Sequence, residues 1–266
     1  MTTQHVIFLF SRLDEDTIHK KHFVGQRLKS EGFKLTEDHR EATVIISIGS
    51  DGTFLQAVRK TDFRQDCLYL GASVKGAHGV YCDYKYDDIR SLVETLRQET
   101  IEERHYPLLE VTINQHKPFL CLNEFSIRST IIRTFVMDIF IDDLLFETFL
   151  GDGMIISTPT GSTAYNKSVK GAVIDPRLPS FQVTELASVN NNRYRTLGTS
   201  FILSNERTLT LNVQQEGNEF PSIAADNEAL GIKQVEKVEA RLSHKVVRTA
   251  KLPNNSFFEK VQRTFF

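Results

Sequence analysis

The stretch Ile45-Ile46-Ser47-Ile48-Gly49-Ser50-Asp51-Gly52-Thr53-Phe54-Leu55 decides how this chain is read. An apolar, β-forming run meets a tight loop bounded by two glycines, and a helix-forming run follows. A strand-to-helix junction of this kind aims backbone N–H groups and the positive end of the helix dipole beyond the strand's carboxyl end, which suits phosphate. An ordinary β-to-α turn in which Asp51 caps the helix has the same outline. The aspartate separates the two readings. A carboxylate placed where phosphate would sit repels the anion unless it holds Mg2+ or accepts a proton from an attacking hydroxyl, as phosphoryl transfer requires. Neither the GxxxxGK[ST] nor the GxGxxG pattern is present, so neither of those phosphate fingerprints accounts for the loop.

Outward from this junction, the first hundred residues alternate between the two element types. Val6–Phe10, Thr43–Ile48 and Cys67–Ala72 read as strands, and Asp16–Glu31, Phe54–Lys60 and Asp87–Glu99 as helices, which predicts βαβ units around a parallel sheet. From Tyr106 onward the pattern changes to short β-branched or alternating runs: Leu108–Asn114, Phe119–Arg128, Thr134–Ile141, Thr208–Val213 and Val235–Leu242. One helical stretch interrupts them, from Gly161 toward Gly171. The fold class expected is therefore an α/β N-terminal domain with a parallel sheet, residues 1–103, followed by an antiparallel, sandwich-like β-rich domain, residues 104–251. Residues 252–266 read as a helix with Phe257, Phe258, Val261 and Phe265 on one side, and are expected to pack back on the first domain.

Bulk composition narrows the function classes. The chain has 266 residues with 32 basic and 34 acidic side chains, so its net charge of −2 offers no global field for nucleic acid. Cys67, Cys82 and Cys121 are odd in number and widely spaced, which fits neither a disulfide framework nor a zinc cluster. The early apolar run Val6–Phe10 is too short for a signal-peptide core or a membrane span, and no basic amphipathic segment suggests membrane docking. A cytoplasmic location with no membrane partner is the expectation. His78 and His105 lack further ligands at usable spacing and read as ordinary histidines rather than metal ligands.

Two further constellations carry chemistry. In the first, Gly151-Asp152-Gly153 leads into Ser157-Thr158-Pro159-Thr160-Gly161-Ser162-Thr163-Ala164-Tyr165-Asn166-Lys167-Ser168, which holds six hydroxyls besides the tyrosine. A solvated loop has this composition too, but apolar residues flank the run, small residues let a chain approach a ligand, and Tyr165 offers a ring face for a base. In the second, Asn123-Glu124 interrupts an apolar strand. Paired polar groups suit the vicinal hydroxyls of a ribose, and a solvated strand end is the ordinary alternative.

Taken in order, Gly49-Ser50-Asp51-Gly52-Thr53, Asn123-Glu124, Gly151-Asp152-Gly153 and Thr158–Tyr165 resemble the motifs of bacterial-type NAD kinases. The resemblance extends over nearly the whole chain, including Val183–Ser188 and the turn at Asp226-Asn227. It implies an active site between two domains of a homo-oligomer, commonly a tetramer, and transfer of the γ-phosphoryl of ATP or polyphosphate to the 2′-hydroxyl of the adenosine ribose of NAD, assisted by a divalent metal such as Mg2+. Position by position, Asp51 resembles the catalytic aspartate, and Gly49, Gly52 and Thr53 the phosphate loop. Asn123 and Glu124 resemble the pair on the adenosine side of NAD. Asp152, Thr163, Ala164, Tyr165, Asn166, Ser168 and Ala187 resemble further NAD contacts.

Three positions depart from the family pattern. Ser50 stands where a second glycine is usual, Gly76-Ala77-His78-Gly79-Val80 replaces a stretch ending in leucine, glycine and phenylalanine, and Leu150 occupies a position that is often basic. A lipid kinase of the diacylglycerol or sphingosine type shares a similar glycine-rich loop but has no need of Asn123-Glu124 or Thr158–Tyr165. A non-catalytic nucleotide sensor is the second alternative, and retention of Asp51 argues against it.

Overall fold

The computed structural model describes residues 5–74, 79–130, 135–215, 221–226, 228–253 and 255–266. It divides into two compact units, one of residues 1–106 and 246–266, the other of residues 107–245.

In the first unit, β1 (Val6–Ser11), α1 (Glu15–Ser30), β2 (Lys34–Thr36), β3 (Val44–Gly49), α2 (Asp51–Lys60), β4 (Leu68–Ser73), β5 (Cys82–Lys85) and α3 (Ile89–Leu96) follow in sequence. The strands lie side by side in the order β2, β1, β3, β4, β5, every pair parallel. All six residues of β3 are buried. Covered faces on both sides explain why its sequence is mostly apolar, with the buried Ser47 as the polar exception, rather than alternating. Ile46 and Ile48 pack with Ile7, Leu9, Val24, Leu28, Leu70, Leu92 and Leu96 in the core of this unit. Asp14 starts α1 by accepting from the Thr17 amide at 3.0 Å.

The second unit comprises most of β6 (Glu103–Ile113), then β7 (Phe119–Cys121), β8 (Glu124–Arg128), β9 (Phe135–Ile141), β10 (Leu144–Gly151), β11 (Gly153–Ser157), the one-turn α4 (Tyr165–Ser168), β12 (Ser180–Leu186), β13 (Phe201–Ser204), β14 (Leu209–Val213), β15 (Ser222–Ala225), β16 (Glu228–Ala229) and the first part of β17 (Lys237–Ala250). One sheet runs β13-β12-β11-β8-β15-β16, antiparallel throughout, and β10-β9-β14-β17 forms an antiparallel layer with β6 beside β17. Phe125, Ile127, Met154, Ile156, Phe181 and Val183 from the first layer share one core with Leu109, Val111, Met137, Ile139, Phe149 and Leu211 from the second. This is the sandwich that the sequence pattern predicts. Cys67, Cys82 and Cys121 are buried and take part in no disulfide among the described residues.

Several elements differ from expectation for identifiable reasons. Phe119–Arg128 is two strands rather than one, because the amides of Leu122, Asn123 and Glu124 donate to the Asp226 carboxylate. The helix expected from Gly161 is a 3-10 turn, Gly161–Thr163, followed by α4, since Ala164 at φ −94° and ψ −128° leaves the helical region between them. The second division between the units falls at Lys245/Val246 rather than after residue 251. Val246 donates to Gln65 Oε1 at 3.0 Å and Thr249 pairs with Tyr69 of β4, which ties this end of β17 to the first unit. The C-terminal helix α5 (Phe257–Phe265) belongs to that unit too, but it buries Phe257 and Lys260 while Phe258 and Phe265 are exposed, so its inner face is not the expected phenylalanine stripe.

Gly49 and Ser50 make the turn from β3 to α2. A Cβ on Gly49 would lie 2.2 Å from Thr53 Oγ1, so only glycine allows the first helical turn to fold back there. Ser50 takes the N-cap position at φ −117° and ψ 178°, an extended conformation open to any residue, and its amide donates to Thr53 Oγ1 at 3.2 Å. A serine in place of the usual glycine is therefore unstrained. Ser50→Gly is expected to lower stability by a few tenths of a kcal/mol through added freedom of the unfolded chain. Chemical denaturation measures it, and a stabilisation of about 1 kcal/mol would instead indicate relieved strain at this position.

Candidate active site

The first cluster is built on the β3–α2 junction. Asp51, the first residue of α2, accepts three successive backbone amides on its carboxylate: Val80 at 2.7 Å on Oδ2, and Tyr81 at 3.0 Å and Cys82 at 3.2 Å on Oδ1. A Cβ on Gly79 would come within 2.1 Å of Asp51 Oδ1, so the glycine at that position leaves room for the carboxylate. Residues 76–78 of the same departure from the family pattern lie outside the described residues. Gly52 is half-buried in the loop, where an added Cβ would be 3.2 Å from Nη2 of Arg12, just beyond β1. The sequence alone does not mark Arg12, because one basic residue after a strand carries no signal until the fold brings β1 beside β3.

The second cluster gathers around Asn123 and Glu124, both buried. Asp226, at φ +47°, accepts from the amides of Leu122 (2.8 Å), Asn123 (2.6 Å) and Glu124 (3.3 Å), and its own amide donates to Glu124 O at 2.9 Å. From the other side the Thr158 amide donates to Asn123 O at 2.9 Å and Thr158 Oγ1 to Leu122 O at 2.6 Å. A Cβ on Gly161 would stand 2.0 Å from Asn123 O, so this glycine is what lets the hydroxyl-rich run reach the Asn-Glu pair. The Tyr165 backbone donates to the Glu124 carboxylate, and the Tyr165 hydroxyl accepts from Arg128 Nη1 at 3.0 Å. Glu124 Oε2 is buried with no hydrogen-bond partner among the described residues.

The other expected contacts distribute unevenly. Thr163 is buried and bonds Thr160 O at 3.1 Å, while Ala164 is half-buried between it and Tyr165. Asn166 is fully buried and both ends of its amide are engaged, by Gln182 Oε1 at 3.1 Å and Thr184 Oγ1 at 2.6 Å. Ser168 is exposed and donates to Tyr165 O at 2.7 Å. Asp152 and Ala187 sit together near the start of β11, where the Asp152 amide donates to Leu186 O at 2.8 Å. Ser157, at the other end of β11, is the residue paired with Glu124. About five residues of strand, roughly 16 Å, separate the two groups along the chain. Leu150 is buried on β10.

Comparison with known proteins decides what these clusters belong to. Residues 122–252 match the model of the ATP-NAD kinase C-terminal domain. Over 259 residues, 97 % of either chain, the sequence is 58 % identical to NAD kinase 2 of Bacillus subtilis (strain 168). It is 55 % identical over the full length of both chains to NAD kinase 2 of Bacillus licheniformis. The chain belongs to the NAD kinase family. The fold agrees: yeast NADH kinase complexed with NADH superposes with a TM-score of 0.79 at 17 % identity, covering 96 % of this chain and 86 % of that one. An NAD kinase from Archaeoglobus fulgidus in complex with ATP gives 0.77 at 18 % identity, covering 97 % and 99 %.

In this NAD kinase fold the electrostatics of the second cluster centre on Glu124. Burial, and then the neighbouring Asp226 charge, push its carboxyl up from the ordinary 4.5 to about 8, against the opposing effect of the Tyr165 amide. A protonated Glu124 supplies an O–H donor as well as an acceptor, which matches a sugar hydroxyl better than a carboxylate alone. Glu147, pushed by burial to about 7, behaves alike but lies on β10, away from this pair in the sequence.

Linkage gives the sign of a test. Between the unfolded value near 4.5 and the folded value near 8 the native protein holds the extra proton, so stability from Glu124 is complete below pH 4.5 and is lost as pH rises through 8. Glu124→Gln is therefore expected to flatten the decline in unfolding free energy between pH 5 and pH 8, leaving the part due to Glu147. Urea melts at several pH values measure this. Parallel curves for the two proteins would show that Glu124 carries no extra proton in the folded state.

Proposed function

We propose that this protein phosphorylates NAD to NADP with ATP, and that its two units divide the work. The second unit recognises the dinucleotide through Asn123, Glu124, Thr163, Ala164 and Tyr165. The first unit supplies the phosphate loop and Asp51. Family membership supports the kinase activity, and the observation that carries the assignment of roles is the buried Glu124, whose own Oε2 has no hydrogen-bond partner among the described residues, in a chain that also places Asp51 at a phosphate-type helix start.

In this reading the 2′-hydroxyl of the adenosine ribose attacks the γ-phosphorus, and Asp51 accepts the hydroxyl proton as the new P–O bond forms and the bond to the leaving ADP breaks. Its three amide partners fix the carboxylate and leave lone-pair capacity on the oxygens. Arg12, beside Gly52, bears positive charge where donor phosphates would meet the loop. Among the described residues no group of three or more His, Cys, Asp or Glu is placed to hold a metal. A Mg2+ ion bound mainly by phosphate oxygens and water, with at most Asp51 from the protein, fits that donor set and would offset phosphate charge.

The finer parts of the proposal rest on surface and composition. A homo-oligomer, of the tetrameric kind, fits the exposed Leu144, Leu145 and Phe146 of β10, since Phe146 packs on Phe201 of β13 at 5.3 Å between ring centres and Ile202 next to it is also exposed. An apolar patch of this kind marks a protein contact. Among the described residues no helix is long and apolar enough to cross a membrane. A cytoplasmic enzyme, where both NAD and ATP are supplied, fits best.

Asp51→Asn tests the reading directly. It keeps the shape and the amide contacts of one oxygen while removing the proton acceptor, so kcat for NADP formation is expected to fall at least about a hundredfold with NAD affinity nearly unchanged. Activity within about tenfold of the unsubstituted protein, in a coupled assay for NADP, would remove Asp51 from the chemistry.

A further inference from the structure

Lys260, on the C-terminal helix α5, is almost wholly buried, which is unusual for a lysine. Its Nζ lies 2.5 Å from Asp83 Oδ1, donates to Val80 O at 2.8 Å, and reaches the Tyr106 hydroxyl at 3.3 Å. Asp83 is held in turn by Arg104 Nη1 at 3.3 Å and Asn255 Nδ2 at 2.7 Å. The decisive contact is the one with Val80. The carbonyl of Val80 and the amide of Tyr81 are the two ends of one peptide group, and that amide donates to Asp51 Oδ1 at 3.0 Å. A buried cation and the Asp51 carboxylate thus address opposite ends of the same peptide.

We propose that Lys260 is a positioning residue for phosphoryl transfer: through the Val80–Tyr81 peptide it fixes the segment that cradles Asp51 and sharpens the Tyr81 N–H as a donor to that carboxylate. The inference rests on the reading of Asp51 as the proton acceptor. A cation on the carbonyl draws electron density along the peptide, and chained hydrogen bonds of this kind reinforce one another in a poorly solvated interior. Orientation follows from the same contact. Val80, Tyr81 and Cys82 must present three amides in step, and the ammonium clamps the one carbonyl that lies between the first and second of them. A lysine that only docked α5 on the first unit would find its partner in Asp83 and would leave the Asp51 cradle unaffected.

The test uses the full-length protein with Lys260→Met, and Lys260→Met combined with Asp83→Asn. Removing one partner of a buried ion pair endangers folding. Lys260→Met leaves Asp83 its contact with Arg104, and the double variant removes both charges of the Lys260–Asp83 pair while Arg104 keeps the Tyr106 hydroxyl and Asn255 O. In whichever variant folds, kcat is expected to fall at least about tenfold while the KM for NAD and calorimetric NAD affinity stay within about twofold. In 1H–15N spectra the Tyr81 amide proton is expected to move upfield, with the amides of Asn123 and Glu124 stationary. The amide shift requires no turnover, so an inactive unsubstituted protein would sink the kinase reading while the spectrum still decided the link from Lys260 to Asp51. An unmoved Tyr81 amide, an unchanged kcat, or NAD affinity lost in step with kcat would overturn the proposal. Failure of both variants to fold would overturn it too, by assigning Lys260 to the fold alone.

Discussion

A single device recurs in both units: an aspartate that gathers three successive backbone amides on one carboxylate. Asp226 takes those of Leu122, Asn123 and Glu124, and Asp51 takes those of Val80, Tyr81 and Cys82. Charge-assisted bonds of this kind are stronger than neutral ladder bonds, so the aspartate can take amides that β pairing would otherwise claim. The consequence in the second unit is local and structural. β7 ends at Cys121, β8 begins at Glu124, and the two residues between them turn away from ladder geometry. A polar pair is thereby held in a buried position with its backbone satisfied.

What the second unit builds around that break follows from packing limits. Gly161 approaches Asn123 O more closely than any residue with a Cβ allows, and Thr158 satisfies the two carbonyls of Leu122 and Asn123 with its hydroxyl and its amide. Burying Glu124 beside Asp226 then makes its ionised form costly and pushes its carboxyl up to about 8. Fold and recognition chemistry are one arrangement here. The same three residues, Asp226, Thr158 and Gly161, that shape the backbone also set the surroundings of Asn123 and Glu124.

The sequence announces some of this and conceals the rest. Val44–Gly49 is legible because a strand covered on both faces is apolar at all but one of its side-chain positions, Ser47, and Gly49 with Asp51 marks the turn that follows. The start of α2 reads late from sequence, at Phe54 instead of Asp51, since Asp51-Gly52-Thr53 has loop composition yet forms the first helical turn behind the Ser50 cap. β12 is absent from the expected strands although its residues alternate, with Phe181 and Val183 in the core and Gln182 and Thr184 bonded to Asn166. Arg12, Lys260 and the clamp formed by Asp226 are invisible for a different reason. Each acts on a segment far away in sequence, and nothing in the local composition says which carbonyl or amide it will meet.

The claim that most of this depends on is that the Asp226 carboxylate holds Asn123 and Glu124 in place for NAD. Asp226→Asn leaves the volume unchanged but replaces one acceptor oxygen with a donor that faces backbone amides. Calorimetric titration with NAD of this variant, checked for folding by its thermal melt, is the direct measurement. The account predicts NAD binding at least about tenfold weaker, a loss of roughly 1.4 kcal/mol, with the fold retained. A folded variant that binds NAD as tightly as the unsubstituted protein would contradict it.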